Sequence, residues 1–191
     1  MRPSKRDEIL AAAKRVVQRE GVTTLTYESV AAEAGLTKGG LLYHFPSRED
    51  LLLALHTHVA AEWEQAMEAE AGAPAEEITE DQRFAAYTRL SQNPERAELI
   101  LQLEASENPE ANEVWERVYR AWAPEPPSAE DLSDGAQLQA FIARLAADGL
   151  WFYEALSSQP LDPAVREQTI EAIIRLASPA EGAPETPDDG A

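Results

Sequence analysis

Residues 26–55 of this chain read TYESVAAEAGLTKGGLLYHFPSREDLLLAL, two short helical patterns followed by the start of a long one. Thr26 is a good N-cap, and Val30, Ala31 and Ala34 fall three and four residues apart on one apolar face. Gly35 can end that helix in the left-handed conformation, which a residue with a Cβ resists. Thr37 then caps a second helix from Lys38 to about His44, with Leu41 and Phe45 on its inner side. Two helices joined by a short glycine-containing turn make a helix-turn-helix, an arrangement whose second helix enters the DNA major groove. Pro46 stops that helix, and Ser47 with Asp50 forms a capping box for the next. There Leu51, Leu52, Leu55, Val59, Trp63 and Met67 make an apolar stripe about five turns long.

In such a motif the first residues of the second helix touch base edges, which selects Thr37, Lys38, Gly39 and Gly40. Lys38 can donate to guanine O6 and N7, and Thr37 can reach a base or a phosphate. The two glycines offer no side-chain readout but let the backbone come close. They also weaken the helix by about 1 kcal/mol each relative to alanine. The expectation is a helix that is soft in the free protein and firms on DNA.

The stretch is similar to the DNA-binding domain of the tetracycline-repressor (TetR) family of bacterial transcriptional regulators. The resemblance is carried by Ala31 to Ala34, Gly35-Leu36-Thr37-Lys38-Gly39, Leu41, Tyr43-His44-Phe45, Ser47 and Glu49 to Leu52. It extends back through Ile9-Leu10-Ala11-Ala12-Ala13 and Gly21, roughly the first third of the chain. It implies that Tyr43 and His44 are a phosphate-contacting pair and that Arg48 is a further phosphate contact. Thr26 and Tyr27 complete the expected DNA-binding set. For His44 the alternative is a histidine packing the turn before Pro46. Leu42 stands where an aromatic residue is frequent, and Gly40 where Thr or Ser is. These departures bear on one usual phosphate contact and on the operator sequence. The helix from Ser47 onward is implied to be the lever between two domains.

Composition narrows the alternatives. The chain has 191 residues and no cysteine, which excludes disulfides and cysteine-ligated metal or redox sites and suits a reducing cytoplasm. No apolar run is long enough to span a bilayer, and Met1 to Arg6 leads into an amphipathic helix rather than a signal-peptide core, so a soluble cytoplasmic protein without membrane partners is expected. The net charge is −19, yet residues 1–50 carry 8 Lys/Arg against 7 Asp/Glu (+1), and residues 51–191 carry −20. An acidic body is repelled by phosphate, which leaves the N-terminal end as the DNA face, though acidity also serves solubility. Arg2, Lys5 and Arg6 are either backbone contacts or solvated charge. There is no phosphate-binding glycine loop, no His-Glu-x-x-His pattern and no cysteine nucleophile, so no enzyme, cofactor or metal is expected. His56 and His58, two apart on a helix, point in different directions, unlike a pair of helical metal ligands.

Ser4 with Asp7 reads as a capping box for a first helix carrying Ile9, Leu10, Ala13, Val16 and Val17 and ending at Gly21. Beyond the long helix, residues 71–78 form a connection, and a helix covers about Glu80–Ser91. Asn93-Pro94 and Asn108-Pro109 read as N-cap plus N1 starts, and residues 123–136, with Pro124, Pro126 and Pro127, form a loop. From Leu138 to Leu156 two faces of one helix are apolar, and Asp162-Pro163 opens a last helix. The resemblance implies that this closing pair forms a four-helix dimer interface, to which Phe141, Leu145, Gly149, Phe152, Tyr153, Leu156, Ile170, Ile173 and Ile174 are assigned; a plain intrachain core is the alternative. Phe84, Tyr87, Trp115, Tyr119, Trp122, Phe141 and Trp151 either line an apolar effector cavity or are core. Glu104 and Asp148, each set among apolar residues, are candidate pocket carboxylates or surface groups, and Glu104 joins the candidate pocket set.

The expected fold is all-α: an N-terminal three-helix helix-turn-helix domain and a C-terminal helical bundle with a four-helix dimer interface. The expected limits are residues 3–63 for the DNA-binding domain, including the start of the connecting helix, and 64–178 for the effector and dimerisation domain. A Pro-rich acidic tail, 179–191, is expected to be disordered. The expected function is a sequence-specific transcriptional regulator, a ligand-responsive repressor that binds a palindromic double-stranded operator as a homodimer and is released by a small apolar or aromatic effector, with the acidity favouring a cation. A protein-interaction module that has lost DNA binding is the alternative.

Overall fold

Ser4 and Asp7 exchange both hydrogen bonds of a capping box and start α1 (Lys5–Glu20), which buries Ile9, Leu10, Ala12, Ala13, Val16 and Val17. In this computed structural model, which describes residues 4–92, 94–130 and 135–178, eight further α-helices and no strands follow. They are α2 (Tyr27–Ala34), α3 (Lys38–His44), α4 (Arg48–Ala71), α5 (Glu80–Leu90), α6 (Arg96–Ala105), α7 (Pro109–Trp122), α8 (Gly135–Leu156) and α9 (Pro163–Ala177). None of them is long and apolar enough to cross a membrane.

Helices α1 to α3 pack with the start of α4 around Leu25, Val30, Leu41, Phe45 and Leu51. Gly35 ends α2 at φ 65°, and Ser47 with Asp50 opens α4 through both capping bonds. At 24 residues, α4 is about 36 Å long. It leaves the first unit and runs between α5 and α7, burying Leu55, Val59 and Met67. Helices α8 and α9 pack along each other and close the bundle against α5.

Some expectations need correction. Helix α6 begins at Arg96 rather than at Pro94: the Glu98 carboxylate accepts from the Glu95 N–H at 3.2 Å, and Gln18 Oε1 accepts from the Ala97 N–H at 2.6 Å, so the orphan donors of the first turn are satisfied two residues later. Asn93, expected as that helix's cap, lies outside the described residues, as do residues 1–3, 131–134 and the acidic tail 179–191. Ile170 and Ile173, assigned to the dimer interface, are 5% and 6% exposed within the single chain, and Ile173 also lines an open surface groove with Val165 and Leu176. Glu104, assigned to the effector pocket, instead meets His56.

That meeting fixes the chemistry of a buried junction between α4, α6 and α7. His56 has no exposed surface; Trp115 Nε1 donates to its Nδ1 at 3.1 Å, and its Nε2 lies 2.6 Å from Glu104 Oε2. An indole N–H can only donate, so Nδ1 must hold a lone pair, and the ring is neutral with its proton on Nε2, donated to Glu104. Burial pushes the His56 pKa below its ordinary value, against the pull of Glu104. With the folded value depressed, the unfolded chain takes up this proton first as pH falls. His56 should therefore cost stability below about pH 6.5, with a slope of at most about 1.4 kcal/mol per pH unit, the limit for one proton. Denaturant unfolding between pH 7.5 and 5.5 should show that slope reduced in His56→Gln, whose amide can accept from Trp115 and donate to Glu104. Equal slopes in the two proteins would mean that His56 takes its proton in the folded state as readily as in the unfolded one.

Candidate nucleic-acid interface and effector cavity

The first turn of α3 is offered to solvent because its opposite face is held. Leu41 and Phe45 are buried, the Thr37 hydroxyl accepts from the Gly40 N–H at 3.1 Å, and the Tyr27 hydroxyl donates to the Phe45 carbonyl at 2.8 Å. Thr37, Lys38 and Gly39 are exposed, and Tyr43 is 85% exposed with its ring edge-on to His44. Thr26 caps α2 through the Ser29 N–H. A short amphipathic helix thus presents one cation, one hydroxyl, one phenol and a glycine-lined approach to solvent.

Among the described residues, the cations of this unit are already engaged. Lys38 Nζ lies 2.6 Å from Glu28 Oε1, and that ion pair holds the Glu28 carboxyl below its ordinary range. Arg15 and Arg19 share Glu33, and Lys14 bridges Glu62 and Glu95. Arg48, expected on a phosphate, donates from Nε to the Leu25 carbonyl at 2.9 Å and from Nη2 to the Val22 carbonyl at 3.1 Å. Its guanidinium therefore fastens α4 to the turn before α2. Of these cations the sequence reading singled out Lys38 and Arg48, and it did not give the partners of either, which lie elsewhere in the chain.

In the bundle, Trp63 of α4 stands edge-on to Tyr87, Trp115 and Trp151 at centroid distances of 6.1–6.2 Å. Beside it is a cavity of about 130 Å³ lined by Trp63, Tyr87, Tyr119, Trp151 and Phe152, with Ser91, Gln102, Arg144 and Asp148 as its polar groups. The Tyr87 hydroxyl donates to Asp148 Oδ1, and Arg144 Nε lies 3.8 Å from Oδ2. The Arg144 guanidinium also sits 5.3 Å from the centre of the Tyr119 ring and donates to the Pro124 carbonyl at 2.9 Å. Burial pushes the Asp148 carboxyl up, against the Tyr87 hydrogen bond and the Arg144 charge, and burial next to that carboxylate pushes the Tyr87 hydroxyl well up.

Of the eight residues expected in a pocket, Tyr87, Tyr119 and Trp151 line this cavity. Phe84 and Trp122 border a separate cleft of about 480 Å³ with Arg83, Arg120 and Pro124. Trp115 packs on His56 and Trp63, Glu104 holds His56, and Phe141 is half-buried on α8. Trp63, Gln102 and Arg144 were not expected in the cavity; Trp63 reads in sequence as one more member of an apolar stripe.

On the outer side of α8 and α9, Ile142, Leu145, Phe152, Tyr153, Val165 and Leu176 are exposed, with Leu145 at 53% and Leu156 at 70%. Gly149 is exposed on the same helix, and a Cβ there would meet nothing within 4 Å. Ile174 is half-buried.

Two family models match the chain: "Bacterial regulatory proteins, tetR family" over residues 9–55, and "Tetracyclin repressor-like, C-terminal domain" over residues 81–178, just over half the chain. No curated protein matches by sequence. Solved structures share the fold. A transcriptional regulator from Streptomyces coelicolor A3(2) is 24% identical, with 92% of this chain and 99% of that one covered at a TM-score of 0.62. A regulator from Saccharomonospora viridis in complex with choline is 20% identical over 89% and 95% of the two chains, at 0.65. The multidrug binding protein EbrR complexed with ethidium is 23% identical over 91% and 98%, at 0.60.

Proposed function

Because this chain belongs to the tetracycline-repressor family of bacterial regulatory proteins, we propose that it is a ligand-responsive repressor acting in the cytoplasm. It works by binding rather than catalysis, and two copies hold a palindromic operator. The observation that carries the reading is the first turn of α3, with Thr37, Lys38 and Tyr43 turned to solvent while Leu41 and Phe45 anchor the other side. The proposed units are residues 3–63 for DNA and 64–178 for effector binding and dimerisation. Pairing runs through the exposed apolar side of α8 and α9, with Leu145, Gly149, Phe152, Tyr153 and Leu156 central. Two-fold symmetry then places the α3 helices about 34–36 Å apart, or a multiple of that, in successive major grooves. The effector occupies the cavity beside Trp63. Choline and ethidium, bound by the S. viridis regulator and EbrR, support a small organic ligand there. Since Trp63 and His56 both lie on α4, a ligand that moves this helix changes the spacing of the α3 helices, and affinity falls by the difference in binding between the two shapes.

Selection of bound sequences from a random DNA pool should yield a palindrome; enrichment of none, with no salt dependence of binding, would remove the reading. Lys38→Ala should relax preference at one base pair of each half-site, worth about 1–3 kcal/mol. Glu28 holds the Lys38 ammonium at 2.6 Å and neutralises its charge, so it competes with bases and phosphates for that cation. Glu28→Gln should therefore tighten binding to all DNA several-fold in mobility shifts at low salt, an effect that fades as salt rises. Weaker binding by Glu28→Gln would show that the ion pair positions Lys38 rather than competes for it.

A further inference from the structure

The cavity beside Trp63 holds two opposed kinds of chemistry in one small buried space. Its lining includes the Asp148 carboxylate and the surrounding indole and phenol rings. Gln102 and Trp151, which also line it, bring donors. Gln102 Nε2 and Trp151 Nε1 are both shut off from solvent and have no hydrogen-bond partner among the described residues. The Tyr119 hydroxyl donates to Gln102 Oε1 at 2.7 Å, so the amide presents its NH₂ as the open group, and an indole N–H can only donate. Each such buried donor left unpaired is unfavourable, and each is relieved by an acceptor brought in from outside. Arg144 adds a cation, paired with Asp148 at 3.8 Å and lying over the Tyr119 ring.

Charge and size restrict what fits. Arg144 and Asp148 make the site neutral as it stands. A monocation would leave a net positive charge in a medium that screens poorly, and a monoanion a net negative one. A molecule carrying both charges keeps the sum at zero. A volume of about 130 Å³ is close to that of a cavity that takes benzene, which excludes a three-ring dye unless side chains move.

Resting on the reading of this cavity as the effector site, we propose that its ligand is a small zwitterion, an ammonium carboxylate of the amino-acid or betaine type. The ammonium lies toward Asp148 and the aromatic faces, where a cation is attracted by the ring quadrupoles. The carboxylate takes the N–H groups of Gln102, Trp151 and Arg144.

Three probes of similar bulk separate the alternatives: glycine betaine (both charges), choline (cation and hydroxyl) and 3,3-dimethylbutanoate (carboxylate with a neutral tert-butyl group). Titrated into the full-length protein, glycine betaine should give a saturable change in tryptophan emission and matching calorimetric heat. The other two should bind at least tenfold more weakly. Trp151→Phe, which keeps the ring and loses the donor, should weaken glycine betaine about tenfold, and Asp148→Asn should do the same through the ammonium. Choline binding as tightly as glycine betaine, binding by none of the three, or an unchanged affinity in Trp151→Phe would overturn the zwitterion. The effector reading is tested separately: release of the operator by choline or ethidium would preserve it while removing the zwitterion. A glycine betaine complex that leaves operator affinity unchanged would remove the regulatory reading and keep the site.

Discussion

Leu145→Glu should turn the protein into a monomer and take operator binding down to the non-specific level. Leu145 is 53% exposed on α8, amid a face that also offers Ile142, Phe152, Tyr153 and Leu156. In a two-fold interface the same patch meets itself, so one substitution places two carboxylates in the contact. Each loses its hydration among these apolar residues at a cost of several kcal/mol. The dimer dissociation constant should rise by at least about a thousandfold, roughly 4 kcal/mol. Sedimentation at micromolar concentration reads this directly. Leu145→Met, which conserves volume, should remain paired. A Leu145→Glu protein that sediments as a dimer and binds operator as before would place the pairing surface elsewhere.

Phe45→Ala should cost about 3–5 kcal/mol, a large part of the roughly 5–15 kcal/mol that holds a domain together. Phe45 is 1% exposed and sits where α3 ends. Its N–H donates to the Leu41 carbonyl at 2.9 Å, its carbonyl receives the Tyr27 hydroxyl, and Arg6 lies 4.7 Å above its ring. Removing the ring leaves a cavity beneath the recognition helix and strips Arg6 of its aromatic partner. Denaturant unfolding should show the loss, and DNA affinity should fall with it because α3 is no longer held from below. Phe45→Leu, which refills most of the volume, should cost less than half as much. A Phe45→Ala loss under about 1 kcal/mol would mean that the neighbouring helices close the gap.

The first unit was legible in the sequence because its signals are local. Ser4, Thr26, Thr37 and Ser47 each cap the helix they precede, and Gly35 takes the φ of 65° that its place at the end of α2 suggests. The bundle was legible as helices but not as neighbours. Periodicity shows that α9 has an apolar side; it does not show that Ile170 is buried at 5% exposure while Val165 is 51% exposed. Polar partnerships over long stretches of chain were invisible for the same reason. Glu104 meets a histidine 48 positions earlier, and the cavity is assembled from residues scattered over α4 to α8. Asp148, which the sequence leaves open as a pocket carboxylate or a surface group, lines the cavity.

Lys14 reaches Glu62 and Glu95, each at 2.8 Å, and Gln18 accepts from the backbone of Ala97, so α1 is stitched to both α4 and α6. The seam limits how far such regulators can be recombined. A chimera that transplanted the first forty-five residues onto another regulator's body would leave a half-buried ammonium facing foreign side chains, and this chain's body under a foreign head would have an amide at the start of α6 with nothing to receive it. A working graft would have to carry these two stitches, or their equivalents, across the join.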